Sequence, residues 1–101
     1  MIKTGIELIA QERLEQIEKH SRTIELDLEQ NDCGELKIAA MALLEYSTED
    51  ADKDEFISLG SFPAGWDSYI CEKMARKPYK ERLIIAGALI AAELDRINED
   101  E

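Results

Sequence analysis

Apolar residues recur at helical spacing along most of the chain, which predicts an all-α fold. The first helix is predicted from Thr4 to about His20, because Thr4 and Glu7 have the spacing of a capping box. At 100° per residue, the positions on its inward face are Ile2, Ile6, Ile9, Ala10, Arg13, Ile17 and His20. The positions that point away are Glu7, Glu12, Glu15, Glu18 and Lys19.

A second helix is predicted from Asp32 to about Tyr46. Asp32 is its expected N-cap, and Glu35 lies three residues later, where a capping box needs an acidic side chain. Residues 21–32 alternate apolar and acidic side chains, but a single strand would have no partner. This segment is therefore predicted to be a connector.

An acidic loop of about residues 47–61 follows and is predicted to be mobile in its first half. A short third helix is expected over about 66–76, and Pro78 suits the start of a fourth helix that ends near residue 98. Because residues 83–92 are almost all apolar, the fourth helix is predicted to be central, a subunit interface, or both. Gly87 in that helix predicts the close approach of a neighbour.

The expected molecule is one domain over residues 1–101, a small bundle of about four helices that forms a dimer. The chain has 23 acidic and 12 basic residues and a formal charge of −11, which predicts no direct binding to nucleic acid. No apolar run is long enough to cross a membrane, and no secretory signal is present. These features predict the cytoplasm, with Cys33 and Cys71 as separate, buried, reduced thiols.

Three charged residues lie where their helices need apolar side chains: Arg13, Glu35 and Glu93. A buried charge requires a partner, a metal or water. One interpretation is an internal ion pair between Arg13 and Glu93, with Glu35 as a second acceptor or bonded to the start of its own helix. The other is that Glu35 and Glu93 bind Mg²⁺ or Mn²⁺, since these hard cations prefer carboxylate oxygens.

In the metal interpretation, Asp27, Asp32 and Asp95 are candidates for further ligands. Arg13 and His20 would contact a phosphate, and His20 would be the candidate general base. The alternative for His20 is a stabilising position at the negative end of a helix dipole. The lone Trp66 has two interpretations as well. It fills a gap between loop and core, with Asp67 capping the third helix, or it stacks on a nucleotide base.

Several segments resemble a family of small, mostly uncharacterised proteins of phages and bacteria whose pattern is ERxxQI…GELxxAA…W…AGALIxAEIDR. The segments that carry the resemblance are ERLEQIEKH (12–20), GELKIAAMALL (34–44), WD (66–67) and ERLIIAGALIAAELDRI (81–97). The most specific is AGALIAAELDR (86–96). The polar positions that match are Glu12, Arg13, Gln16, Glu35, Trp66, Glu93, Asp95 and Arg96.

The chain also distantly resembles the MazG-type all-α nucleoside triphosphate pyrophosphohydrolases. That resemblance implies Mg²⁺ held by ExxE and ExxD pairs on two helices. Here Glu35 is followed by Ile38, and Glu93 by Arg96, at the positions where the family has a second acid.

Three functions therefore remain open. They are a dimeric accessory or interaction domain without catalysis, a magnesium-dependent nucleotide pyrophosphohydrolase, and a nucleotide-binding regulator without turnover.

Overall fold

The computed structural model describes residues 2–20, 31, 33–46 and 58–100, except for the side chains at positions 19, 20 and 100. Within these ranges the chain forms four α-helices and no β-strand. The helices are α1 (Gly5–His20), α2 (Glu35–Glu45), α3 (Ser68–Ala75) and α4 (Tyr79–Asp100). The predicted all-α bundle of about four helices is confirmed.

The start of α1 is the predicted capping box. The Thr4 backbone N–H donates to Glu7 Oε1 over 3.0 Å, and the Glu7 N–H donates to Thr4 Oγ1 over 3.2 Å. Two backbone donors that have no acceptor within the helix are satisfied in this way. The backbone hydrogen bond from Thr4, followed by the side-chain hydrogen bond with Thr4, lowers the pKa of Glu7 from its ordinary value of 4.5.

The inward face of α1 is shorter than the sequence predicts. Ile2 and Ile6 are 93% and 83% exposed, because the packing of this segment begins only near Leu8. Beyond that point the buried positions are polar, Arg13 at 8% and Gln16 at 6% exposure. Apolar spacing therefore identified the side of the helix that turns inward, but not the length of helix that is covered.

The second helix begins at Glu35, not at Asp32 as predicted. Its N-cap residue is Gly34, which has a φ of 84° and offers no side-chain cap. Positive φ is unfavourable for residues with a Cβ atom, so glycine suits this entry. Asp32 itself lies outside the described residues. At the other end, Tyr46 is the C-cap, and its hydroxyl donates to the Ser58 carbonyl over 2.7 Å. Burial raises the pKa of Tyr46 above 10.0.

Helix α4 is central, as predicted, because it contacts both α1 and α2. The core lies between α2 and α4, with contributions from α3 and from Phe62. Its members on the two main helices are largely small or branched aliphatic residues: Leu36, Ala39, Ala40, Ala42, Leu43, Ile85, Ala86, Leu89 and Ala92. Alanine on both helices leaves room for close helix packing, which buries apolar surface without large side chains.

Gly87 lies where α1 meets α4. A Cβ atom at this position would lie 2.6 Å from Ile9 Cδ1 and 2.9 Å from Ile9 Cγ1. Since such distances are far below van der Waals contact, only glycine allows Ile9 to approach so closely. The predicted close approach of a neighbouring helix at Gly87 is confirmed.

Helix α3 is two residues shorter at its start than predicted, and Asp67 caps it as expected. The Asp67 carboxylate accepts from the Ile70 N–H over 3.0 Å. The helix contributes Cys71 and Ala75 to the core, whereas Cys33 is exposed, contrary to the prediction of two buried thiols. The predicted acidic loop lies mostly outside the described residues, but Phe62 at its end is buried. None of the described helices is both long and apolar enough to cross a membrane.

Candidate functional site

Arg13 is the most buried charged residue of α1, and its described ion-pair partner is on α4. The Arg13 Nη2 to Asp95 Oδ2 distance is 3.4 Å, with the arginine side chain 9% exposed and the aspartate side chain 43% exposed. The pair therefore joins the two helices from a partly buried position. Arg13 meets a carboxylate of α4 as predicted, but this carboxylate belongs to Asp95 instead of Glu93.

Glu93 forms its ion pair within α4. Its Oε1 accepts from Arg96 Nε over 2.6 Å, and both side chains are less than one-fifth exposed. A spacing of three residues puts these side chains on the same face of a helix, so the pair requires no tertiary contact. The residue in the family-like segment that departs from the MazG pattern, Arg96, is thus the residue that neutralises Glu93.

Glu35 is engaged at the start of α2. Its Oε1 accepts from the Cys33 N–H over 2.7 Å, a contact that resembles the predicted bond to the helix start. Within the described ranges, no group of three or more His, Cys, Asp and Glu side chains is arranged to hold a metal ion. Three other predicted participants, Asp27, Asp32 and the side chain of His20, lie outside the described residues.

An open cleft of about 290 Å³ lies between α1 and the start of α4. Three of its lining residues are carboxylates, Glu12 and Glu15 of α1 and Glu81 of α4, and Lys77 lies beside them. Lys77 Nζ is 3.7 Å from Glu81 Oε2. The sequence analysis placed Glu12 and Glu15 on the outward face, yet both are only partly exposed. Their three-residue spacing, which puts both on one side of the helix, was the available signal.

Trp66 packs against the core and is partly buried. Its indole N–H donates to Asn31 Oδ1 over 3.3 Å, and Asn31 is itself 7% exposed. A buried indole generally needs such a partner for its N–H. The geometry agrees with the prediction that Trp66 fills a gap between loop and core, next to the cap residue Asp67.

Arg82 was not singled out from the sequence, although it is only 2% exposed. Its Nε donates to the Lys77 carbonyl over 2.9 Å, and its guanidinium carbon lies 5.7 Å from the centre of the Tyr79 ring. Both contacts are at the junction of α3 and α4. The arginine therefore fixes the turn between the two helices, a role that sequence spacing does not reveal.

One side of α4 carries aliphatic side chains that no described element covers. Leu83, Ile90, Leu94 and Ile97 are 41%, 46%, 56% and 40% exposed. At 100° per residue these four positions fall within an arc of about 60°, and they extend over about 21 Å of helix. We call these four residues the α4 stripe. Large apolar residues that are exposed together on one side of a helix are typical of an interaction surface.

The chain was compared with models of protein families, with curated proteins and with solved structures, and none of the three comparisons gave a match.

Proposed function

We propose that this chain is a non-catalytic interaction domain, located in the cytoplasm, that binds a protein partner through the α4 stripe. The observation that carries the proposal is the contrast on α4 between charged residues that are paired and aliphatic residues that are exposed. Glu93 and Asp95 form ion pairs with Arg96 and Arg13, whereas the four aliphatic residues of the α4 stripe stay exposed. The stripe therefore offers apolar surface to a partner, while these two carboxylates are engaged in ion pairs within the fold.

The degree of exposure supports this function. An isolated exposed leucine is normal on a protein surface, but a row of four along one helix is not. Covering such side chains gains about 25 cal/mol for each Å² of apolar surface removed from water. A partner that lays an apolar face along α4 would obtain this gain without rearranging the core.

A photo-crosslinking experiment tests the proposal. Benzoylphenylalanine is introduced at Ile90 of the stripe and, as the matched control, at Leu14, an exposed residue of α1. After irradiation in cells, we expect discrete crosslinked protein species from position 90 and none from position 14. If position 90 gives no crosslinked species, whether with a second copy or with another protein, the proposal is wrong.

A second candidate is a magnesium-dependent nucleotide pyrophosphohydrolase of MazG-like type. The observation on which it rests is the open cleft whose lining includes Glu12, Glu15 and Glu81. In the structure these carboxylates are not arranged as a metal site, so they would have to move together to hold a hydrated divalent cation. Lys77 at the same cleft would contact a phosphate. In this function a metal-bound water would attack the nucleotide.

Thermal melts with and without Mg²⁺ or Mn²⁺ separate the two candidates. For the enzyme, a divalent cation raises the midpoint of the wild type, Glu12→Gln removes that rise, and nucleoside triphosphates release pyrophosphate. Glu93→Gln tests the original assignment of Glu93 as a ligand in the same way. If a nucleotide raises the midpoint without metal and without turnover, the chain is a nucleotide-binding regulator. Midpoints that respond to neither ligand leave the interaction domain as the function.

A further inference from the structure

The partner that best fits the α4 stripe is a second copy of this chain. We infer that α4 of one chain packs against α4 of another in antiparallel orientation, stripe against stripe. This inference rests on the proposed function and names the partner that the interaction surface accepts. It depends on three features: the position of the stripe on α4, the distribution of charge before and along this helix, and the direction of the helix dipole.

The charges around the stripe are separated along the sequence. Residues 73–82 contain five basic residues and one acidic residue, a formal charge of +4. Residues 83–92 contain no charged residue at all, and residues 93–101 contain five acidic residues and one basic residue, a formal charge of −4. The basic and acidic segments thus flank an uncharged segment of ten residues. An antiparallel copy would set each basic segment beside the partner's acidic segment, whereas a parallel copy would set like charges together.

The direction of α4 makes its acidic end unfavourable within one chain. A helix has a partial positive charge at its N-terminus and a partial negative charge at its C-terminus, so acids stabilise the start and bases stabilise the end. The first turn of α4 contains Glu81, which agrees with the dipole, but the last turn contains Glu99 and no basic residue, which opposes it. An antiparallel neighbour relieves this opposition, because its start, with the basic side chain of Lys80, would lie beside this helix's end.

The stripe has the symmetry that self-association requires. A two-fold interface uses the same patch on both copies, so the patch must be self-complementary. The stripe runs from Leu83 to Ile97, and its centre lies near residue 90. A two-fold axis near this centre puts Leu83 beside the partner's far end of the stripe and Ile90 beside its own symmetry mate. Apolar residues then meet apolar residues along the whole contact.

The overall charge of −11 acts against any self-association. Screening limits that repulsion to about 10 Å at 0.1 M salt, so the charges nearest the contact dominate. Among the described residues, the exposed charges outside the described ion pairs include Lys80 near the start of the stripe and Glu99 beyond its end, and these two attract in the antiparallel arrangement. A basic partner helix would be attracted to the acidic segment but repelled by residues 73–82. A second copy, in antiparallel orientation, is attracted to both segments.

The first test is the mass of the purified full chain by sedimentation equilibrium. We expect a monomer–dimer equilibrium that Ile90→Gln and Leu94→Gln each weaken by about tenfold or more in the dissociation constant, since each substitution acts twice in a symmetric contact. The control Leu14→Gln removes a side chain of similar exposure, 53%, from α1 and is expected to leave the constant unchanged. Because all three positions are already exposed, loss of folding is not expected, and circular dichroism checks it.

The second test reads the orientation by disulfide crosslinking. Cys33→Ser removes the exposed thiol, and either Lys80→Cys or Asn98→Cys introduces a new one; both positions are exposed on the same flank of the stripe. The two single variants are mixed and oxidised. The antiparallel pair predicts disulfides between position 80 and the partner's position 98, and few between identical positions. A parallel pair predicts the reverse.

The outcomes separate this inference from the proposed function. A monomer at every concentration, a dimer unaffected by the stripe substitutions, or disulfides between identical positions would each overturn the antiparallel dimer. The proposed function fails if the crosslinker at position 90 finds no protein at all. Crosslinks in cells to another protein, with a purified chain that stays monomeric, would retain the interaction domain and reject the second copy as its partner.

Discussion

At position 87 the absence of a side chain decides how closely α1 and α4 approach. Ile9 occupies the space that a Cβ atom would need, so two effects compete at this site. Alanine would stabilise the helix interior by about 1 kcal/mol relative to glycine. It would also push Ile9 away, and overpacking of this kind typically costs about 1–3 kcal/mol.

We predict that Gly87→Ala lowers the free energy of unfolding in the wild type and raises it by about 1 kcal/mol in an Ile9→Ala background. The reason is that truncation of Ile9 removes the clash and leaves only the gain in helix propensity. Urea unfolding of the wild type, both single variants and the double variant measures the coupling. If Gly87→Ala has the same effect in both backgrounds, the close contact with Ile9 is not what keeps glycine here.

The ion pair between Arg13 and Asp95 gives a second prediction. Asp95→Asn is expected to cost about 1–2 kcal/mol, because a largely buried guanidinium loses a charged acceptor. In an Arg13→Met background the same substitution should cost almost nothing. Thermal and urea unfolding measure both differences. Glu99→Gln on the same helix is the matched control, and an equal loss there would show that any acid of α4 has the same effect.

The sequence located the buried charges better than it located their partners. Arg13 and Glu93 were both identified as inward charges, since each interrupts an apolar helical face. Their partners depend on how α1 is rotated and placed on α4, and on which side-chain conformations reach across. Helical spacing in the sequence determines neither the placement of α1 on α4 nor the side-chain conformations. Glu93 therefore forms its ion pair with the near neighbour Arg96, and Arg13 forms its ion pair with Asp95.

At the scale of helices, the ends show which local signals determine structure. Thr4 and Glu7 form the capping box that their spacing predicts, and Asp67 caps α3. The equally good signal at Asp32 did not set the start of α2, because the N-cap is Gly34, two residues later and in a left-handed conformation. The local sequence thus offers two possible N-cap residues for α2, Asp32 and Gly34, and the pattern alone does not distinguish them.

The capping box has a predictable dependence on pH. Because the pKa of Glu7 is lower in the folded chain than its ordinary value of 4.5, its contribution to stability is present above that value. The contribution is lost as the pH falls through the lowered pKa. We expect the difference in thermal midpoint between wild type and Glu7→Ala to be largest at neutral pH and to shrink below 4.5.

Glu7→Gln is the control for this titration. Glutamine also accepts a hydrogen bond at this position of a capping box, but it does not titrate. Its midpoint difference from Glu7→Ala should therefore remain constant while that of the wild type falls. A wild-type difference that stays constant through the acid range would show that the ionised Glu7 does not stabilise α1.

At the scale of the whole molecule, the pattern of apolar residues predicted the arrangement well. The uniformly apolar stretch of α4 made it the central helix, and the structure has it in contact with both α1 and α2. The total charge was less informative. It predicts only that the chain does not bind nucleic acid directly, although five of the 12 basic residues lie between 73 and 82. Counting charge in segments, instead of over the chain, was the signal that would have revealed this.

The charge of −11 predicts that salt stabilises the folded chain. Repulsion among like charges opposes compactness, and added ions screen it. A gain of 1 kcal/mol would raise the thermal midpoint by about 4–8 °C for a domain of this size. Melts in increasing sodium chloride measure the effect, with sucrose as a control that does not screen charge. A midpoint that falls with salt would mean that attractive ion pairs outweigh the repulsion.

Because one thiol is exposed and the other is buried, the reactivity of the two native cysteines can measure how often the core opens. Cys71 is 2% exposed within the core, whereas Cys33 is on the surface. A thiol reagent should therefore modify Cys33 at once and Cys71 only during openings that expose the core. The slow rate, followed by mass spectrometry, would give the frequency of those openings under native conditions without denaturant or an added label.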